Sequence, residues 1–355
     1  MLGVSEYYIK IKQDAGRRGV FRVRLATFRQ QRIIPWLPVK EKRLCLSLKK
    51  SGGIEKKIAR WGVIFVIPAV LFFAVFSFYP IINAFVESFF DKRVLSNVPP
   101  KFVGLQNYFY IFDASRYDNP MSFLNSLRAT VVFTLGTFIP LVILSLLFAV
   151  LISSLKRDSF KKIFQIAYYT PAILSSVVAA AIWLLIFDPR GLGNYWINKL
   201  LSTPGIDHQW LLNSTMLQLS TMIVYFWKYI GYFVILFITG LSTIPPVVYE
   251  AALIDGANKF QVFWSITLPL LKPTVVLVSI MAMLQCLKTF STQYLFTQNG
   301  ASLGPINVIT LNIYQTGIKL QRIGRASAMS VVLFLIMLFL TWLQFRSSKP
   351  DETDY

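Results

Sequence analysis

Six long apolar runs dominate the chain, at about 62–85, 129–153, 164–187, 217–240, 273–291 and 327–345. Crossing the hydrocarbon of a bilayer takes ~20 mostly apolar residues in one helix, and each run approaches or exceeds that length. The fifth is the least uniform, because Gln285 and Lys288 interrupt it. Pro68, Pro80, Pro140 and Pro171 fall inside or near the runs. Membrane helices accommodate such prolines where neighbours satisfy the freed carbonyls. The first run follows a long tail and exceeds the core of a cleavable leader. The pattern predicts an all-α polytopic membrane protein with six transmembrane helices: a tail over 1–60, a membrane domain over 61–346 and a short tail over 347–355.

The polar interruption over 241–272 is more than a turn. Glu250, Asp255 and Lys259 keep it out of hydrocarbon, where each charge is costly. Pro245 and Pro246 suit the first turn of a helix. Residues 248–253 then read as a short helix, and Gly256 suits its C-terminal stop. A second helical piece is expected over 260–271, ended by Pro273. A helix–Gly–helix elbow at a membrane surface is a shape for pressing into another protein.

Charge sets the expected orientation. The chain is 55% hydrophobic and 15% charged, with positive mean hydropathy; a soluble chain of this length carries more charge. Residues 1–60 hold sixteen Lys and Arg against Glu6, Asp14, Glu41 and Glu55, which is +12 of the chain's +20. Basic flanks stay in the cytoplasm, so the N-terminus is expected inside and six spans return the C-terminus to the same side. The loop with Lys156, Arg157, Lys161 and Lys162 falls inside, as does 241–272; Lys319, Arg322 and Arg325 run against the trend at the outer mouth of the last span. The tail attracts phosphates by charge alone, but no motif for base readout accompanies it. Anionic lipid at the inner leaflet explains the same residues, with 20–34 (Arg22, Arg24, Arg29, Arg32) as a candidate surface helix, so nucleic acid is not an expected partner. Cys45 and Cys286 stand in unlike surroundings and His208 has no ligand partners in sequence, which indicates neither a disulfide nor a metal site. A phosphate-cradling Gly-x-x-x-x-Gly-Lys-Ser/Thr loop is absent, as is a nucleophile–base–orienter set. The chain is therefore not expected to be an enzyme or to hold a cofactor of its own.

Glu250-Ala251-Ala252, Gly256 and Ile266-Thr267-Leu268-Pro269 follow the pattern Glu-Ala-Ala, three residues, Gly, nine residues, Ile-x-Leu-Pro. This resembles the EAA loop of bacterial ABC importer permeases. Phe102-Val103-Gly104-Leu105-Gln106-Asn107-Tyr108, then Asn125 and Thr130, then Tyr169-Thr170-Pro171-Ala172-Ile173-Leu174-Ser175, and 183–194 with Phe187-Asp188-Pro189 and Gly191 are similar to carbohydrate permeases of the maltose and glycerol-phosphate type. The resemblance covers about 60–346. One departure is the family's Thr-x-Gly-Gly-Pro turn, replaced here by Thr297-Gln298-Asn299-Gly300 running on to Gly304-Pro305. The resemblance implies the type I ABC importer permease fold in a bacterial cytoplasmic membrane. It implies a coupling helix at Glu250, Ala251, Ala252, Asp255, Gly256, Ile266, Leu268 and Pro269 that meets a cytoplasmic ATPase. Two ATPase subunits would bind ATP and Mg, a homologous second permease subunit would complete the pore (a homodimer being the alternative), and an extracytoplasmic solute-binding protein would deliver a sugar.

Cargo residues are sought among polar groups in spans, since these are costly and usually face a cavity. Tyr225, Lys228, Tyr229 and Tyr232 share one face of the fourth span; rings stack on sugar faces while hydroxyls and amines donate. Gln285, Lys288, Thr289 and Thr292 form a stripe in the fifth. By their distance before Tyr294-Leu295-Phe296, Lys288 and Thr289 match cargo-lining positions of maltose-type permeases. Interface anchoring would also account for the aromatics, and snorkelling for Lys288. Two lysines at such positions predict an acidic cargo, a uronic-acid oligosaccharide or a sugar phosphate. The alternatives are a permease for amino acids or peptides and an ion-coupled secondary transporter. The latter calls for inverted repeats and buried acids, and Glu87 and Asp91 lie only at a span end.

Overall fold

The computed structural model describes residues 52–95, 99–188, 191–201 and 209–347. The basic stretch before residue 52 with its candidate helix 20–34, Cys45, Pro189, His208 and the residues after 347 lie outside them. The chain opens with α1 (Gly52–Phe73), a π turn (Ala74–Phe78) and α2 (Tyr79–Glu87), followed by a two-stranded antiparallel ribbon of β1 (Phe90–Asp91) and β2 (Lys101–Phe102). Then come α3 (Gln106–Ile111), α4 (Phe123–Ser153), α5 (Asp158–Ile173), α6 (Ser176–Ile186), α7 (Leu192–Leu201), α8 (Ser214–Leu241), α9 (Pro246–Ile254) and α10 (Lys259–Val262). A second π turn (Phe263–Thr267) leads into α11 (Leu268–Leu287), α12 (Ser291–Gln298), α13 (Leu303–Ile306), α14 (Ile309–Tyr314), a third π turn (Gln315–Lys319) and α15 (Ile323–Ser347).

Among the described residues, five helical stretches are long and apolar enough to cross a membrane: Arg60–Glu87, Phe123–Ser153, Ser214–Leu241, Lys259–Gln298 and Ile323–Arg346. The run expected to span at 164–187 is a bent pair, α5 and α6 meeting at 98°, which together pass as a sixth, broken span. Leu174 and Ser175 adopt extended backbone, and the Ser175 hydroxyl caps the new helix by accepting from Val178 N at 3.2 Å. Pro171 lies in the last turn of α5, where its ring weakens the ladder just before the break. Pro273 likewise departs from expectation: it lies inside α11 and does not end a helix.

Proline also accounts for two of the π turns. Pro80 and Pro269 each stand two residues beyond one. A proline donates no N–H to the carbonyl four residues back, so the ladder shifts register by one: Tyr79 N–H reaches Ala74 O and Leu268 N–H reaches Phe263 O. The helix widens locally and continues, which turns a breaker into a π bulge.

From Ile67 onward the chain forms one packed unit. Its centre lies between α4, α8 and α11, where Leu141, Ala149, Phe233, Phe237, Leu271 and Val278 are buried. Small residues set the close approaches. A Cβ on Gly231 of α8 would lie 1.9 Å from Tyr168 O of α5, and one on Gly240 would meet the Thr274 side chain at 2.5 Å. At one end, Asn107 donates to Ser88 O at 2.8 Å and Phe90 O at 3.0 Å, and Gly324 packs against Phe90 O, tying α3, the ribbon and α15 together. The off-trend arginines find their partner here. The guanidiniums of Arg116 and Arg325 both stack on Tyr110, at 3.8 and 3.5 Å from the ring centre, while Arg322 bridges to Arg93 through backbone.

Candidate functional site

Two regions stand out, a cavity inside the helices and the elbow at α9. The cavity, of about 400 Å³, lies among α6, α8, α11 and the start of α12, lined by Ser176, Tyr225, Tyr229, Met281, Leu284, Gln285, Lys288, Thr289, Phe290, Ser291 and Thr292. It exists because two helices break beside it. The chain turns by about a right angle at Leu174–Ser175 and presents Ser176, and α11 stops at Lys288 before α12 restarts after Phe290, whose backbone is far from helical. Broken helices at membrane depth are tolerated where they line a cavity.

Of the residues singled out in sequence, Tyr225, Tyr229, Gln285, Lys288, Thr289 and Thr292 line this space together. Lys228 stands just behind the wall: it is buried, donates from Nζ to Ser176 Oγ at 2.8 Å, and lies 5.3 Å from the Tyr229 ring centre. Tyr232 is not at the cavity; it packs edge-on against Phe233 on the core side. Ser176, Phe290 and Ser291 were not legible as site residues, because each becomes cavity wall only through a helix break. Behind the wall, Thr289 Oγ1 donates to Gln293 Oε1 at 3.0 Å, the Thr310 hydroxyl bonds the Thr289 carbonyl, and Phe290 stacks on Tyr294. These contacts hold the α11–α12 break to α14.

A polar hub fixes α14 against α4. Asn312, fully buried, donates from Nδ2 toward Met121 O, Ser122 O and Ser126 Oγ at 3.1, 3.2 and 2.7 Å, and accepts from Thr316 Oγ1 at 3.0 Å. Ile309 N donates to Thr130 Oγ1 at 2.9 Å. The altered turn after α12 is pinned as well, by Asn125 donating to Gly304 O and Gln218 to Pro305 O, both at 3.0 Å. Asn125 and Thr130 thus act as clasps between distant parts of the sequence.

At the elbow, Gly256 has φ +75°, and the Ala257 N–H reaches back to Ala252 O at 3.0 Å. This is the left-handed C-terminal stop that glycine permits. Asn258 and Gln261 then form a reciprocal capping box at 2.8 and 2.9 Å, which starts α10. Ala252 is buried and Ile266 and Leu268 are half-buried, anchoring the elbow, while Glu250, Ala251, Asp255, Gly256 and Pro269 are exposed. Beside the carboxylates Leu253, Ile254, Phe260 and Trp264 are exposed too, an apolar face with acidic edges. Among the described residues no three His, Cys, Asp or Glu side chains gather as a metal site would require.

Residues 141–349 match the sequence family described as the binding-protein-dependent transport system inner membrane component. The chain belongs to this family. It is 34% identical over 307 residues to the arabinooligosaccharides transport system permease protein AraP of Bacillus subtilis, covering 84% of this chain and 93% of AraP. It is 30% identical over 303 residues to the trehalose/maltose transport system permease protein MalF of Thermococcus litoralis, covering 84% and 97%. Among solved structures, a chain of a bacterial ABC transporter involved in the import of the acidic polysaccharide alginate superposes with TM-score 0.68 at 23% identity, covering 83% of this chain and 99% of that one. The all-α importer-permease fold follows from that likeness. The permease is thus an inner-membrane transport component rather than an enzyme, and the elbow at α9 carries the family's EAA pattern.

Proposed function

We propose that this permease belongs to an ABC importer and passes a sugar or oligosaccharide inward through the cavity beside α8 and α11. The observation that carries the reading is the make-up of that wall: rings from Tyr225, Tyr229 and Phe290 beside the Gln285 amide and the hydroxyls of Thr289, Ser291 and Thr292. Rings against apolar sugar faces and amides against hydroxyls are the chemistry a saccharide needs. The names of the relatives, arabinooligosaccharide and trehalose/maltose permeases, support the same cargo class.

In this reading both termini are cytoplasmic, and the permease binds no cofactor. Two partner ATPase subunits bind ATP and Mg, and one of them meets the exposed face around Glu250, Asp255 and Trp264. A homologous second permease subunit faces the cavity, and an extracytoplasmic solute-binding protein delivers cargo. The helical path from Lys259 to Gln298 runs from the elbow to the cavity wall, and α11 alone is ~30 Å long. Motion imposed at α9 and α10 by the ATPase therefore reaches Gln285 and Lys288 along a single lever and rocks the wall between its outward and inward openings.

The test is Glu250→Lys, expressed in the host lacking the native gene. Uptake of labelled oligosaccharide is expected to disappear, and an ATPase that co-purifies with the native permease is expected to be lost, with membrane insertion unchanged. Normal uptake by this variant sinks the coupling role of α9.

A further inference from the structure

We propose, resting on the sugar-importer reading above, that the cargo carries a negatively charged group, a carboxylate or a phosphate, received by Lys288 with Lys228 behind it. Lys288 lines the cavity and is exposed to it. Lys228 is 6% exposed, with its Nζ tethered to the cavity-lining Ser176 hydroxyl and set beside the Tyr229 ring. No Asp or Glu lines the cavity, and among the described residues neither lysine pairs with a carboxylate; the ion pairs there join Lys92 to Glu87, Arg116 to Asp113 and Lys161 to Asp158.

The depth of Lys228 sets it apart from a lysine that merely anchors a helix end. It is near the middle of the 28-residue α8, ~20 Å from either end, beyond the reach of a snorkelling side chain. A lysine at that depth is costly without an anion, and the sites that keep one there are functional sites or ion pairs. Lys288 ends α11, where a cation complements the helix dipole. That role asks for a charge near the helix end but not for one opening into a cavity 400 Å³ in volume. The first residues of α6 and α12, Ser176 and Ser291 with Thr292, open on the same space, so the positive ends of two helix dipoles add to the field of the lysines. A neutral saccharide is served fully by Gln285, Thr289, Ser291, Thr292 and the rings. Two ammonium groups with no carboxylate beside them suit an anionic guest better than a neutral one.

The experiment compares the host, its gene-deleted strain and deletion strains carrying Lys288→Gln, Lys228→Gln or Lys288→Arg, with membrane levels checked by immunoblot. Cells are fed a mixture of neutral oligosaccharides, oligogalacturonides and sugar phosphates of two to five residues, and cytoplasmic saccharides are identified by mass spectrometry. The expected result is that every species dependent on the native gene carries an acidic group, with its mass telling carboxylate from phosphate. Lys288→Gln is expected to lower initial uptake at least about tenfold, the size of one charge-assisted hydrogen bond, and Lys288→Arg to restore most of it. Gene-dependent entry of neutral species alone, or unchanged anionic uptake in both Gln variants, overturns the anionic cargo and leaves the sugar importer standing. If no saccharide enters in a gene-dependent way, the sugar reading itself falls and this inference with it.

Discussion

Gly231→Ala is the sharpest probe of how the bend at α5–α6 is held. The added Cβ would stand 1.9 Å from Tyr168 O, 2.3 Å from Tyr168 C and 2.8 Å from Tyr169 N. All three atoms are backbone, so no rotamer change relieves the clash. Reaching ordinary contact at 3.4 Å requires α5 and α8 to part by about 1.5 Å. Overpacking of this kind costs about 1–3 kcal/mol, expected as a fall of several degrees in the apparent melting midpoint of detergent-purified protein at ~2–4 °C per kcal/mol. The effect on transport should exceed the effect on stability. Gly231 lies three residues after Lys228 on α8, and Ser176, the partner of Lys228, follows Tyr168 across the bend. Parting the helices therefore opens the 2.8 Å Lys228–Ser176 bond and widens one wall of the cavity. Uptake in the gene-deleted host complemented with this variant is expected to drop well below the level its membrane abundance predicts. The control is Gly62→Ala, where nothing lies within 4 Å of the new Cβ and replacing a helical glycine is favourable by up to ~1 kcal/mol. A Gly231→Ala protein with native melting and native uptake refutes the reasoning, because it means the α5–α8 contact is not tight.

Two further variants test the hub and the elbow. Asn312→Leu strands the Met121 and Ser122 carbonyls and the Ser126 hydroxyl it now satisfies; a loss of about 2–4 kcal/mol follows if one or two buried groups stay unpaired, readable as a lowered melting midpoint and early proteolysis between α13 and α15. Gly256→Ala meets no atom within 4 Å but must hold φ +75°, a backbone cost of ~1–2 kcal/mol; local exchange protection at Ala257 is expected to fall while the melting midpoint of the helical core stays put.

The limits of a one-dimensional reading are visible in particular residues. Hydropathy is a local property, so five of the six apolar runs fall on single membrane-capable helices and the third on a bent pair, and the spacing from Glu250 to Pro269 predicts a surface elbow with Gly256 at its stop. Helical spacing also tells which residues share a face, as Tyr225, Lys228 and Tyr229 do. It does not tell what that face meets. Tyr232 belongs to the same stripe yet turns to the core, because the stripe is longer than the cavity.

What the amino-acid sequence determined by itself is therefore the number and extent of the apolar segments, the basic tail and the polar helix–Gly–helix elbow, since these follow from composition, periodicity and backbone preference along the chain. What only the tertiary structure decided is where the third apolar segment breaks, that Pro273 leaves its helix intact, and that Ser176, Lys228 and Lys288 from three helices meet at one wall. Those outcomes depend on neighbours far away in sequence, on Gly231 admitting the α5 backbone, on Thr310 holding the α11–α12 break and on Asn312 fixing α14 against α4, and no local preference encodes them.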